Sequence, residues 1–461
     1  MIVPRTRLLL WFTIIVVPFA TLAGLVPGAA AISFAVIALF ALAVVIDAFL
    51  TVDTLRGVAI ELTPLVRATQ ERAFSIGVRV RNPTQRARTV RIALALPREL
   101  LPGVDEFTVE LPPASEWSAF EWSCSASERG KFQITSARIE AASPLGFWAR
   151  WKTVPVAGEV RVYPNLARDR NNLAALFLNR GAFGVHAQRQ IGRGRDFEKL
   201  REYISGDSFE DVHWKATAKR GHPVTKVYQI ERTQEVYVII DASRLSARSL
   251  SRESKVEGRV QETVLPSALD SRPSTALERF ITAALVLGLA AEQQGDLFGL
   301  LTFSDKIETF LRARNGKAHY HACRDALYTL QARELAPDFD ELSTFIRLRL
   351  RRRALLLFLT SLDDPVVAES FVRNMDLLCR QHLVLVNMLQ PPGVRPIFSN
   401  GNVTTANELY AELAGHMRWH GLRELEKVLQ RRGVRLSLLQ SERLAVDLVS
   451  QYVNVKQRQV L

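Results

Sequence analysis

Cysteine is nearly absent: Cys124, Cys323 and Cys379 are the three in 461 residues, and none forms a CxxC pair. An odd, scattered set gives no disulfide framework and points to a reducing compartment. Histidine is sparse too, at 8. His416 and His420 stand i, i+4 on one predicted helix, but Met417 occupies the position where a metalloprotease carries its Glu. Surface or core histidines are the simpler reading of that pair, and His319 and His321 have no obvious third ligand. The chain has no GxSxG elbow, P-loop, HExxH or clear nucleophile–base pair, so the common hydrolase and triphosphatase signatures are missing. Gly192 and Gly194 stand without the rest of a dinucleotide or Walker pattern. Acidic residues are outnumbered, 47 against 60 Lys and Arg, for a net charge of +13. That excess suits an anionic membrane surface, nucleic acid or an acidic partner. There is no internal repeat.

What is present begins with two long apolar runs. Residues 8–26 (LLLWFTIIVVPFATLAGLV) carry no charge, and residues 31–50 (AISFAVIALFALAVVIDAFL) carry one carboxylate, Asp47, near the end. Each is long enough to cross a hydrocarbon layer of about 30 Å. The connection, Pro27-Gly28-Ala29-Ala30, is so short that the two must form a hairpin with both chain ends on one side. Pro18 is tolerable in a membrane helix, and Asp47 fits headgroup depth better than a functional place in the bilayer. Arg5 and Arg7 precede the first run, Arg56 follows the second, and the hairpin loop is uncharged. The positive-inside rule then places the soluble body in the cytoplasm, anchored to the inner membrane. A cleaved signal peptide is the competing reading, but the first run is long for its apolar core and a second run follows at once.

From about residue 58 to 164 the pattern changes to short alternating runs: 73–82, 89–96, 107–111, 119–125, 131–134, 138–142, 147–153 and 159–162. Asn-Pro, Pro-Pro, Glu-Arg-Gly and Ser-Pro-Leu-Gly separate them, as in a β-sandwich. Trp117, Trp122, Trp148 and Trp151 could form a binding face, although strand aromatics usually pack. Residues 166–235 form a charged connector in which the spacing of Phe197, Leu200 and Tyr203-Ile204 predicts a short helix over 196–204. A second helix is expected over 211–219 and a strand over 224–230. Residues 236–461 then alternate strand and helix. The apolar runs VYVII, LFGLLTF, ALLLFLT and LVLVNM predict parallel strands covered on both faces. The whole is a multi-domain chain: transmembrane hairpin 1–55, β-sandwich 56–165, connector 166–235, and a doubly wound, Rossmann-like α/β domain 236–461. Residues 244–274 are rich in Ser and Arg without apolar periodicity and read as a disordered insertion. Arg347, Arg349 and Arg351 to Arg353 form a basic run whose usual explanation is a solvated helix face.

The connector GRDFEKLREYISGDSFEDVHWKATAKRG, the strand lead-in QIERTQEVYVIIDAS, and then QGDLFGLLTFSD and LLLFLTSLDDP, with SPLGFW and VYP upstream, resemble a bacterial family. It is the domain of unknown function fifty-eight family, whose members are similar to von Willebrand factor type A domains and are typically membrane-anchored. The resemblance spans about residues 138 to 388. It implies a metal-ion-dependent adhesion site with the motif Asp-x-Ser-x-Ser, a later Thr and a later Asp, built of hard oxygen ligands suited to Mg²⁺. Asp241 and Ser243 match this motif, and Leu245 stands where the second Ser belongs. The Thr has no clear counterpart, though Ser343 and Thr344 lie near its expected place. Ser361 follows Thr360 where the later Asp is expected, and Asp363 and Asp364 lie just beyond. The site therefore reads as degenerate, built on Asp241, Ser243 and Asp363.

The resemblance also implies a MoxR-type AAA+ ATPase as partner. The expectation is a non-enzymatic, membrane-anchored adaptor that binds protein partners. Its docking residues are expected in the connector: Arg195, Glu198, Arg201, Asp207, His213, Trp214, Lys215 and Arg220. The alternative is a metal-dependent hydrolase with its site at the Asp241 and Asp363 loops. Nucleic acid is not the expected partner.

Overall fold

The structure, a computed structural model, describes the chain apart from residues 53, 84–86, 114–116, 168–190, 206, 230–233, 249–274, 398, 400–404 and 458–461; at 27, 191–199 and 227–229 it describes the backbone. The chain divides into two compact units, Met1–Asn165 and Leu166–Leu461.

In the first unit β1 (Ile2–Pro4) leads into α1 (Thr6–Leu25), a short turn, and α2 (Ala30–Thr51). Both helices are long and apolar enough to cross a membrane. No side chain of α1 is buried, and Phe49 of α2 is 74% exposed, as expected of surfaces that lipid would cover. Nine strands follow: β2 (Ala59–Leu62), β3 (Leu65–Thr69), β4 (Ala73–Arg81), β5 (Arg88–Leu94), β6 (Leu100–Pro102), β7 (Phe107–Leu111), β8 (Ser118–Ala126), β9 (Gly130–Ala142) and β10 (Trp148–Tyr163). They form two sheets, β1-β10-β9-β5-β7 with β3 beside β10, and β2-β4-β8-β6. Alternate residues of both sheets point inward, Ile76, Val78, Val80 and Trp122 from one, Val90, Ile92, Ile139 and Val162 from the other. Each such buried large side chain contributes about 1.5–3 kcal/mol.

Residues 1–55 and 56–165, expected as separate domains, share this unit. Ile2, Val3 and Pro4 pair with Arg150, Ala149 and Trp148. Asp47 is buried: its carboxylate accepts the Ser143 hydroxyl at 2.6 Å and the Leu145 and Phe147 N–H groups at 3.0 and 3.2 Å. The Trp148 indole N–H donates to the Val44 carbonyl at 3.0 Å. The start of the first apolar helix and the end of the second are thereby tied to one sheet. Of the four tryptophans, Trp122 is core beside Phe107 and Phe120, whereas Trp117 and Trp151 are over a third exposed.

The second unit opens with an antiparallel pair, β11 (Ile191–Glu202) and β12 (Val224–Gln229), enclosing a 3₁₀ turn (Phe209–Asp211) and α3 (Trp214–Arg220). The helix expected over 196–204 is therefore strand up to Glu202. Two register shifts, between Ile191 and Asp196 and between Phe197 and Lys199, interrupt the two-residue alternation there. Gly221 ends α3 in the left-handed conformation, φ 73°, where a glycine is the natural C-terminal stop.

The α/β body follows as β13 (Glu235–Asp241), α4 (Ala276–Gln293), β14 (Leu297–Phe303), β15 (Ile307–Arg314), α5 (Lys317–Leu327), α6 (Phe339–Arg349), β16 (Leu355–Leu359), α7 (Pro365–Leu378), β17 (Leu383–Leu389), α8 (Ala406–Arg431), β18 (Arg435–Leu439) and α9 (Leu444–Gln457). The sheet order is β15-β14-β13-β16-β17-β18, parallel throughout except for the edge strand β15. The strands read as continuous apolar runs because both faces are covered, one by α4, α5 and α9, the other by α6, α7 and α8. This is a doubly wound sheet of the order 3-2-1-4-5-6. Of the expected insertion, residues 249–274 lie outside the described chain. Residues 244–247 form a turn, with Leu245 and Ser246 buried and Ser246 N–H bonded to the Ser243 carbonyl at 3.0 Å. The start of the low-periodicity stretch thus contributes two buried residues, Leu245 and Ser246.

Candidate functional site

Asp241 ends β13, whose neighbours are β14 on one side and β16 on the other. The strand order reverses there, and ligands of doubly wound folds bind beyond the carboxyl ends of strands at such a point. The Asp241 side chain is fully buried. One carboxylate oxygen accepts the Ser243 N–H at 2.8 Å and the other accepts the Thr360 hydroxyl at 2.6 Å. Burial raises its pKa above the usual carboxylate range, against the opposing pull of those hydrogen bonds. Ser243 is buried as well, and its hydroxyl accepts the Leu245 N–H at 3.3 Å. The loop is clamped from two sides: Ala242 N–H donates to the Phe303 carbonyl at 2.7 Å, Arg333 N–H to the Ala242 carbonyl at 2.7 Å, and Arg244 N–H to the Leu335 carbonyl at 3.0 Å.

The other expected members are placed differently. Leu245, at the position of the motif's second Ser, is 2% exposed and points into the core. Asp363 pairs with the Arg248 guanidinium and accepts the Ser361 hydroxyl at 3.2 Å; it has no bond to Asp241 or Ser243. Ser343 is buried on α6 and donates to the Asn374 side chain at 2.8 Å, so it faces α7. The residue that does reach Asp241 is Thr360, at the exit of β16. Among the described residues no group of three His, Cys, Asp or Glu side chains is arranged to hold a metal ion.

Sequence reading missed a second polar group at this end of the sheet. The Ser304 hydroxyl, at the exit of β14, lies 2.9 Å from carboxylate oxygens of both Asp305 and Glu308, and Arg333 pairs with Glu308 at 2.7 Å. The Ser304 hydrogen bond holds the Asp305 carboxyl below its usual range. The signal was a polar pair directly after the apolar run LFGLLTF, the same pattern that singled out Asp241.

In the connector, Arg195 and Glu198 have side chains outside the described set, and β11 carries their backbone. Arg201 pairs with Asp207 at 2.7 Å, and Asp207 also accepts the Ile204 N–H at 3.1 Å. That backbone bond, with the guanidinium, holds the Asp207 carboxyl below its usual range. His213 caps α3: its Nδ1 accepts the Ala216 N–H at 3.0 Å, and its backbone N–H donates to the Val224 carbonyl at 2.8 Å. Arg201, Asp207 and His213 therefore build the connector. Trp214, Lys215 and Arg220 stand outward on α3. With Trp214 the surface presents Ile204 and Phe209; the three are 66%, 61% and 73% exposed. The Phe209 ring lies 6.0 Å from that of Tyr203.

Residues 199–265 and 265–403 match the family described as protein of unknown function DUF58. No curated protein matches the sequence. Among solved structures the chain is similar to the SpRpn10 VWA domain, at 11% identity and a TM-score of 0.26, over 48% of this chain and 95% of that one. It is also similar to a protein of unknown function from Porphyromonas gingivalis W83, at 16% identity and a TM-score of 0.17, over 23% of this chain and 48% of that one. The fold assignment rests on the strand order above. Connector motif, strand-exit aspartate and the match to the DUF58 family model agree over residues 199–403.

Proposed function

We propose that the chain is a non-enzymatic adaptor, anchored in the inner membrane with its soluble units in the cytoplasm, that docks a protein partner on the connector. The observation that carries this is the exposure of three large apolar side chains of the connector, Ile204, Phe209 and Trp214, in a segment that also exposes Lys215, Lys219 and Arg220. Large apolar side chains grouped on a surface and rimmed by charge mark interaction sites, and aromatic anchors dominate binding energy there. A MoxR-type AAA+ ATPase is the partner that the family resemblance implies.

Anchoring by a retained hairpin is supported by the pairing of Ile2–Pro4 with β10 and by Asp47 in its ring of donors. Cleavage after the first helix would strip a strand from the sheet. Arg5, Arg7 and Arg56 support the cytoplasmic orientation. A degenerate adhesion site is supported by the donors present. Both oxygens of Asp241 are engaged by protein donors, Leu245 offers no oxygen, and Asp363 is occupied by Arg248. These residues do not fit a hard divalent cation, which needs several free oxygens. The same placements leave the hydrolase alternative without a paired acid and base.

The test uses the full chain in mild detergent and a purified MoxR-type ATPase of the same organism. Binding should weaken roughly tenfold or more in a Phe209→Ala/Trp214→Ala chain, with unfolding unchanged. Binding that ignores both substitutions, or no binding to the intact chain, would reject the docking surface.

A further inference from the structure

At the amino-terminal end of the α/β sheet, opposite Asp241, lies a cavity of about 420 Å³. Three separate elements bring arginines to it: Arg312 from the edge strand β15, Arg349 from the last turn of α6, and Arg351 and Arg352 from the loop before β16. One carboxylate, Glu235, shares the lining. Among the described residues none of these four arginines has an ion-pair partner; Arg349 lies over the Phe345 ring at 5.8 Å, and the others reach solvent. Phe310 forms an apolar wall, stacked on Tyr237 at 6.1 Å and set edge-on to Phe345 at 5.2 Å.

The bland explanation is that basic side chains neutralise the carbonyl end of α6. It accounts for Arg347 and Arg349, which lie in the last turn. It does not account for Arg351 and Arg352, beyond the helix, or for Arg312, on a different strand. Four guanidinium groups around one concavity repel one another unless an anion enters. Guanidinium is the side chain whose planar fork matches phosphate oxygens in pairs. The volume lies in the range of small-ligand sites.

We propose that this cavity binds a phosphate-bearing anion through Arg312, Arg349, Arg351 and Arg352. The phosphate comes either from an anionic lipid headgroup or from a soluble phosphorylated molecule. The site stands independently of the adaptor reading, because it uses no connector residue.

The test is calorimetry on the full chain in non-ionic detergent with three probes: tripolyphosphate, short-chain phosphatidic acid below its micelle concentration, and short-chain phosphatidylcholine as the neutral control. At least one phosphate probe should bind, more weakly as salt rises, and the control should not. The Arg312→Gln/Arg352→Gln chain should lose tenfold or more in affinity. Glu235→Gln, which removes the opposing carboxylate, should gain several-fold, a result that a misfolded chain would not give. Tighter binding of tripolyphosphate assigns a soluble ligand, and tighter binding of phosphatidic acid assigns the bilayer. Absence of binding by both phosphate probes, equal binding of the neutral control, or unchanged affinity in both variants overturns the proposal.

Discussion

At the carboxyl end of the α/β sheet each acidic side chain described above faces a donor. Asp241 has Ser243 and Thr360, Asp305 has Ser304, Glu308 has Arg333, and Asp363 has Arg248. Asp338 and Asp364 cap α6 and α7 with backbone N–H bonds of 2.9 to 3.0 Å. At the amino end, among the described residues, Arg312, Arg349, Arg351 and Arg352 have no ion-pair partner, and His382, buried just before β17, has no hydrogen-bond partner for either ring nitrogen. A charge satisfied internally is spent on structure, whereas one left open is available to a ligand or to a proton. On the proposed reading, the end that the family resemblance marks as a metal site serves as scaffold, and the end that it ignores is the one left open to a ligand.

The sharpest way to break this comparison is Asp241→Ala. It leaves the Thr360 hydroxyl and the Ser243 N–H buried without an acceptor, at a cost of about 2–5 kcal/mol. Asp241→Asn keeps one acceptor and should cost about half as much. Denaturant unfolding of the full chain, followed through the transition of the α/β unit, measures both. An Asp241→Ala chain as stable as wild type would mean that the carboxylate is held for a ligand after all. A magnesium-dependent rise in wild-type stability would then be the next thing to look for.

Much of this sheet was legible in advance because its strands are buried on both faces. VYVII and ALLLFLT have no other use in a soluble domain, and each emerges as a strand with Asp241 or Thr360 at its exit. Elements whose alternation is interrupted were not legible. Runs 147–153 and 159–162 are one strand, β10, with a register shift between Pro155 and Gly158 that hides the continuity. The bulged β11 was misread as helix for the same reason. Pairings between distant segments left no local trace: nothing in Ile2–Pro4 announces its place beside β10, and nothing near Asp241 identifies Thr360 as its partner. Thr360 stands in the sequence as the residue before a missing aspartate, in a strand-exit loop that can meet that of Asp241. The arginine cavity was half visible as the run around 351, but Arg312 joins it only through the fold.

A smaller effect should come from His382, because burial lowers its pKa below the ordinary value of about 6.5. The folded chain then holds His382 neutral, while the unfolded chain takes up a proton below about pH 6.5. More protons bind to the unfolded state in acid, so stability falls as pH drops through that value and continues to fall down to the folded pKa. Asp241 contributes with the opposite sign, since a raised carboxyl pKa favours the folded state as pH falls. Comparing wild type with His382→Leu cancels that term. Unfolding midpoints measured at about pH 7.5 and about pH 5.5 should drop less in the variant. Equal drops would mean that His382 finds a proton acceptor, and the amino end would be better satisfied than it looks.

The smallest effect is expected where the two ends differ most in appearance. Arg248 and Asp363 face each other at the carboxyl end, with the guanidinium side chain 54% exposed and the carboxylate side chain 20% exposed. Exposed pairs of this kind couple by about 1 kcal/mol or less, since water screens them and ordering a long side chain costs entropy. A double-mutant cycle of Arg248→Ala and Asp363→Ala should therefore give a coupling under about 1 kcal/mol, decreasing with salt. The decisive arm is Arg248→Ala with magnesium added. Removing the guanidinium frees the Asp363 carboxylate, the later acidic residue of the degenerate motif. If the carboxyl end is scaffold, magnesium leaves the stability of that variant unchanged, because Asp241 still has both oxygens engaged and Leu245 still supplies none. A magnesium-dependent gain in Arg248→Ala, absent from wild type, would show instead that Arg248 stands in for the cation and that the adhesion site is masked.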